Sequence, residues 1–271
     1  MTTRVPRLQR ASGACRVAFD ARDGRTRLGD LYQRDPCRVL FPKGEPGEPP
    51  LAVLLTTSGG VTGGDSLDMT VEIGPQARAV ATTQAAEKIY RAAAGSEPCS
   101  IAVSVRVADG AVLDWLPQET IVFDGARLRR RTVAEVEPGG RLLACEMVVL
   151  GRAASGERFR DGLLLDSWSV RRSGRLIWTD ALRVTGETPR GAGFGDANAL
   201  CTLIGVADDL QPDLARARDR LASVAEVRAG VTLVNGVLVG RLLGEATAVR
   251  RAAIEFLTEF RGRRLPRVWH V

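Results

Sequence analysis

Thirty-two acidic side chains stand against a single histidine in this 271-residue chain, and that imbalance limits its chemistry. The one imidazole, His270, lies next to the C-terminus. A Ser-His-Asp triad, a histidine-rich metal centre and a histidine general base are therefore all but excluded. Five cysteines, Cys15, Cys37, Cys99, Cys145 and Cys201, are widely spaced and form no C-x-x-C pair. Neither a zinc site nor a disulfide framework is indicated, and small buried thiols in a reducing cytoplasm are expected. The remaining candidates are carboxylates: Asp65 and Asp68 in one stretch, Glu119 and Asp124 in another. As a catalytic pair, Glu119 and Asp124 would need one raised and one low pKa across a substrate cleft, and nothing in their spacing demands it. Oxygen ligands unsupported by imidazole or thiolate would hold a transition-metal ion loosely, which suits a conduit better than a store. The plainer alternative is that Asp124-Gly125 is a turn and that Asp65 closes a loop through backbone hydrogen bonds.

The elements that must position these groups begin at Leu54–Arg91. Gly59, Gly60, Gly63 and Gly64 precede Asp65 and Ser66, so Gly59 to Ser66 fits G-x-x-x-x-G-x-S. A phosphate loop is excluded because Asp65 stands where a lysine is needed and because a strand, not a helix, follows. Leu67, Met69, Val71 and Ile73 alternate up to the turn Gly74-Pro75. Two of the glycines are explained by a tight loop; four point to a close backbone approach to a neighbouring strand or partner.

Along the rest of the chain, short alternating runs separated by turns predict a mainly β protein. Strands are expected at Cys15–Phe19, Leu28–Tyr32, Leu51–Leu55, Ile101–Val107, Val112–Leu116, Thr120–Phe123, Leu128–Val136, Leu142–Leu150, Leu163–Val170 and Leu176–Leu182. Leu142–Leu150 is apolar enough to be buried on both faces. Within 127–131, Arg127, Arg129 and Arg131 should share one face and Leu128 and Arg130 the other. The loops at 43–50 and Gly186–Gly195 read as irregular, the latter as a connector or a contact loop. Helices are expected only late: one with Pro212 in its first turn, and one after Gly244-Glu245 with Val249, Ala253, Phe256 and Phe260 on one face. Between them, Asn235-Gly236 predicts a hairpin. No apolar run is long enough to span a bilayer, and the opening residues read as a frayed end before the first strand. The net charge of +6 comes almost wholly from arginine. Without a nucleic-acid module or base-stacking aromatics, a protein-facing or solvated surface is preferred to nucleic acid.

Several of these stretches together resemble the UreD (UreH) urease accessory family. They are Ser58-Gly-Gly-Val-Thr-Gly-Gly-Asp65, Thr82-Thr83-Gln84-Ala85-Ala86, Lys88-Ile89-Tyr90-Arg91 and Trp115-Leu-Pro-Gln-Glu-Thr-Ile-Val-Phe-Asp-Gly125. Gly24–Leu28, Leu40-Phe-Pro42 and Pro266-Arg-Val-Trp269 complete the resemblance, which covers nearly the whole chain as one domain, 1–271. Glu87 departs from the pattern, where a small or hydroxylated residue is expected. The resemblance implies a layered, β-helix-like body with two helices near the C-terminus. It also implies a cytoplasmic, non-catalytic metallochaperone scaffold that binds apo-urease together with UreF and UreG in a hetero-oligomer. No cofactor would be tightly bound: nickel would be in transit through the interior, along a polar passage that Asp65, Glu119 and Asp124 can line. Lys88, Tyr90, Arg91, Phe256 and Phe260 are the candidate partner contacts. Two other classes remain: a carboxylate-dependent hydrolase, and an arginine-rich anion or nucleic-acid-binding protein.

Overall fold

The computed structural model describes residues 9–270 except 45–46, 153–154, 189–190, 192, 223 and 225. Parts of both irregular loops expected from the sequence, and residues 1–8, thus lie outside the described residues.

Seventeen strands and two helices are seen among the described residues, in the order β1 (Ser12–Arg22), β2 (Arg25–Arg34), β3 (Cys37–Leu40), β4 (Leu51–Thr56), β5 (Ser66–Ile73), β6 (Arg78–Thr83), β7 (Glu87–Ile89), β8 (Cys99–Val107), β9 (Val112–Leu116), β10 (Thr120–Val122), β11 (Arg127–Val136), β12 (Arg141–Leu150), β13 (Leu163–Arg172), β14 (Arg175–Thr185), β15 (Ala199–Val206), α1 (Gln211–Ala222), β16 (Arg228–Val234), β17 (Val237–Gly244) and α2 (Ala246–Arg261). A 3-10 turn, Arg267–His270, follows.

The strands form two sheets. The first runs β14-β13-β11-β8-β5-β1-β2, the second β16-β17-β15-β12-β9-β6-β4-β3, with β10 paired to β12 and to β7. From β4 to β13 the main strands alternate between the sheets, and each lies parallel to its predecessor in the same sheet: β5, β8, β11 and β13 in one, β4, β6, β9 and β12 in the other. This is the expected β-helix-like coil, flanked by antiparallel hairpins such as β1–β2, β13–β14 and β16–β17. The last of these turns at Asn235 (φ 48°) and Gly236 (φ 81°), the paired left-handed residues of a type I′ turn.

Period-two alternation explains the layering. On β5, Leu67, Met69, Val71 and Ile73 turn into the space between the sheets, where they meet Val103 and Val105 of β8 and Leu113 of β9. On β12 the even positions Leu142, Ala144, Val148 and Leu150 also face inward, while Leu143, Cys145, Met147 and Val149 face outward beneath the helices. Being sandwiched between the first sheet and the helical layer is why β12 is apolar on both sides. The helix α2 starts where the Glu245 carboxylate accepts the Thr247 and Ala248 amides, and it stops at Gly262 in the left-handed conformation. No helix among the described residues is long and apolar enough to cross a membrane.

Candidate functional site

Four of the motif segments, Ser58–Asp65, Thr82–Ala86, Lys88–Arg91 and Trp115–Gly125, gather at one edge of the body where the short parallel strands β7 and β10 pair. The glycine loop closes on this edge. A Cβ at Gly60 would come within 2.6 Å of the Tyr90 ring and 2.7 Å of the Lys88 carbonyl, and one at Gly63 within 2.8 Å of the Glu97 carbonyl. The close approach expected from the four glycines is therefore an intramolecular one. Tyr90 donates its hydroxyl to the Gly59 carbonyl at 3.0 Å and packs edge-on against Phe123, and Thr62 donates to the Arg91 carbonyl at 2.8 Å.

Each of the three candidate metal carboxylates is already engaged here. Asp65, 8% exposed, accepts the Ala11 and Thr62 amides, both at 2.8 Å, and so closes the loop through the backbone. Asp124 takes Arg91 at 2.8 Å and the amides of Arg160 and Asp161 at 2.8 and 2.9 Å. Desolvation pushes its carboxyl up, but those amides and the Arg91 guanidinium outweigh it and hold the group below its ordinary range. Glu119 pairs with Arg250 of α2, which also donates to Gln118 Oε1 at 2.8 Å and lies over the Trp269 ring. Trp269 in turn donates its indole N–H to the Leu116 carbonyl at 3.1 Å, so the C-terminal motif buttresses the central one. Asp65, Glu119 and Asp124 do not converge, and no cluster of three or more potential metal-binding side chains exists among the described residues.

The candidate partner contacts divide. Lys88, Tyr90 and Arg91 are exposed on the edge described above. Phe256 and Phe260 are 2% and 9% exposed and stack on each other at 5.2 Å in the core beneath α2. The partner role expected of these two is corrected by their position: the helix's apolar face is used up against β12, β15 and β17.

A polar band between the sheets, which the sequence reading missed, is formed by inward-facing positions of successive strands. Arg130 of β11 reaches Asp166 of β13 at 3.0 and 2.5 Å, Glu146 of β12 at 3.1 Å and the Thr120 hydroxyl at 2.7 Å. All four are less than a tenth exposed. Glu146 also accepts the Trp168 indole N–H at 2.8 Å. Across the second sheet Glu146 is in register with Thr202, and Thr202 with Arg241. Arg241 donates to the Thr202 hydroxyl at 2.6 Å and pairs with Asp180 of β14.

Charge is sustained in this interior by mutual pairing. Burial works against the Arg130 cation, yet Asp166 and Glu146 beside it keep it protonated. Burial also raises Asp166, but Arg130 overcomes this and holds it ionised, whereas burial dominates at Glu146 and raises it well above the carboxylate range. At one end of the band, Glu146, Asp166, Asp180, Thr202 and Arg241 border a crevice of about 10 Å³, room for a single water-sized occupant. At the other, Glu87 sits opposite Thr120 and lines a cavity of about 210 Å³ with Thr56, Gly60, Gln84 and Lys88. Desolvation pushes the Glu87 carboxyl up to about 7, against the opposing pull of Thr56, the Lys88 amide and Arg130.

A hydrolase that works through paired carboxylates needs two acids across a cleft that admits substrate. Glu146 and Asp166 do meet, but on a buried guanidinium beside a water-sized crevice. The one histidine contributes nothing to this band. Fold and site together define a β-helix-like body with charge turned inward between its two sheets and no histidine in its polar band.

Comparison with known proteins makes the class particular. The family model of the UreD urease accessory protein matches residues 11–270. The urease accessory protein UreD of Magnetococcus marinus is 40% identical, with 97% of this chain and 95% of that protein aligned. Those of Methylobacterium sp. (43%; 97% and 96%) and Azorhizobium caulinodans (41%; 98% and 98%) are similar over equally full lengths. The chain belongs to the UreD family of urease accessory proteins, and its role is in urease maturation.

Proposed function

We propose that the chain is a non-catalytic scaffold of the cytoplasm that binds apo-urease together with UreF and UreG and passes nickel to the urease through its own interior. The observation that carries this reading is the polar band Glu87–Thr120–Arg130–Glu146–Asp166–Thr202–Arg241–Asp180, buried at its centre and partly exposed at its two ends, which joins a cavity at one edge to a crevice at the opposite flank of the inner space. A buried polar band costs stability relative to apolar packing, so retaining one fits a use for it. Asp166 is the ionised oxygen ligand and Arg130 already occupies it, while Glu146, whose carboxyl burial raises, offers its oxygens on giving up its proton. An arriving cation has to compete with that guanidinium, which makes residence short and release easy. The buried Thr132 hydroxyl, without a hydrogen-bond partner among the described residues, adds a further oxygen on the inner face of β11. Asp65, Glu119 and Asp124 hold the edge in shape instead of lining the route.

The test is co-expression with a urease operon lacking its own copy of this component, followed by nickel content and urease activity. The wild-type chain restores both. Asp166→Asn and Glu146→Gln keep partner capture but lower nickel per urease. Unchanged nickel delivery in both variants removes the band from the route, and failure of the soluble wild-type chain to restore activity with its partners present overturns the scaffold reading.

A further inference from the structure

A second feature, apart from the polar band, lies where the first residues of β6, β9 and β12 meet the helical layer. There a cleft of about 270 Å³ is floored by Val112, Leu143 and Leu210 and lined by Arg78, Arg141, Arg216, Arg261 and Arg263. Only two carboxylates line it, and both are committed. Asp114 takes Arg261 at 2.7 Å, and Asp213 is shared by Arg216 at 2.7 Å and Arg141 at 3.4 Å. Five cations less two anions leave three positive charges; counting Glu48, 3.8 Å from Arg263, still leaves two. Arg78 is exposed and has no carboxylate partner among the described residues. Arg141 and Arg263 are about half exposed, at 55% and 44%.

The arrangement of these charges is specific. Arg78, Val112 and Arg141 are in register on three adjacent parallel strands, which sets the two arginines about 10 Å apart with an apolar residue between them. Arg216 is braced over the Phe260 ring at 4.6 Å. We propose that this cleft docks an acidic and apolar peptide segment of a partner protein. Its carboxylates engage the forks of Arg78 and Arg141, and an aliphatic side chain rests on Val112, Leu143 and Leu210. Charge complementarity supports the assignment, since guanidinium forks match carboxylates two bonds at a time. The apolar floor gives nothing to an inorganic anion but suits an aliphatic side chain.

The test uses the full chain and a fluorescein-labelled peptide of alternating Glu and Leu, with a Lys and Leu peptide as control, read by fluorescence polarisation. The Glu peptide binds, and Arg78→Glu and Arg141→Glu each weaken it by about tenfold or more. Arg175→Glu, on edge strand β14 of the other sheet, leaves binding unchanged. Because Arg78 is an exposed side chain in no ion pair among the described residues, its variant folds and keeps the test decisive if Arg141→Glu does not. Equal binding of the Lys peptide, or undiminished binding by Arg78→Glu, overturns the proposal. So does displacement of the peptide by millimolar inorganic phosphate, which would make the cleft a small-anion site.

Discussion

Arg130 of β11 grips Asp166 of β13 through two side-by-side contacts, Nε to Oδ1 at 3.0 Å and Nη2 to Oδ2 at 2.5 Å, with both side chains buried between the sheets. The two residues are in register on neighbouring parallel strands, so the coil itself brings the guanidinium and carboxylate planes together. Removing one partner leaves the other charged and dry. Arg130→Met is expected to cost about 3–5 kcal/mol in urea unfolding, because the ionised Asp166 loses its counter-ion and Glu146 loses a hydrogen-bonding partner. The double variant Arg130→Met, Asp166→Leu should recover a substantial part of that loss. A single variant within about 1 kcal/mol of wild type would show that the pair contributes no more than a surface ion pair does.

Glu87 provides a pH test. Its carboxyl is raised from 4.5 to about 7 in the folded chain, chiefly by desolvation. Between these values the folded state binds the extra proton, so its contribution to stability declines as pH rises through that window. Glu87→Gln carries no such titration. Its melting temperature relative to wild type should climb from pH 5 to pH 8, and a relative melting temperature that falls over that range would contradict the assigned environment.

The glycine loop is rigid for a steric reason. Gly60→Ala puts a methyl group 2.6 Å from the Tyr90 ring and 2.7 Å from the Lys88 carbonyl, at a φ of 139°. A destabilisation of about 2 kcal/mol or more is expected. Gly230→Ala, where nothing lies within 4 Å and no positive φ is required, should be close to neutral. Thermal unfolding of the two variants side by side checks the contrast; equal shifts would mean the loop yields easily.

Core and surface readings of the C-terminal helix separate by mutation. Phe256→Ala is expected to destabilise the isolated chain by about 3–5 kcal/mol, as for a fully buried aromatic. Lys88→Ala, on the exposed edge, should stay within about 0.5 kcal/mol of wild type. A pull-down with the urease components then reports on contact alone for Lys88. If Phe256→Ala leaves stability intact, the helix is not seated as described.

Much of the architecture was legible in the chain because strands are local objects. Alternation at Leu67–Ile73 and Ile101–Val107, the Asn235-Gly236 turn and the doubly apolar Leu142–Leu150 each follow from side-chain parity and turn stereochemistry within a few residues. The same parity placed Arg130 on the face opposite Arg127, Arg129 and Arg131, and the near absence of histidine set the limits of the chemistry. The tertiary structure alone decided what the charged residues do. Arg130, Glu146 and Asp166 sit on separate strands and meet only because the coil stacks those strands in register. Local sequence allowed Asp65 to close a loop through backbone hydrogen bonds and Asp124 to sit in a turn, but did not show that Ala11, Arg91, Arg160 and Arg250 from distant segments occupy Asp65, Asp124 and Glu119. Phe256 and Phe260 likewise fit either a core or a partner on periodicity alone, and the sheet beneath α2 determined which. Local sequence specifies where a side chain points; its partner is fixed by long-range packing, which local periodicity does not encode.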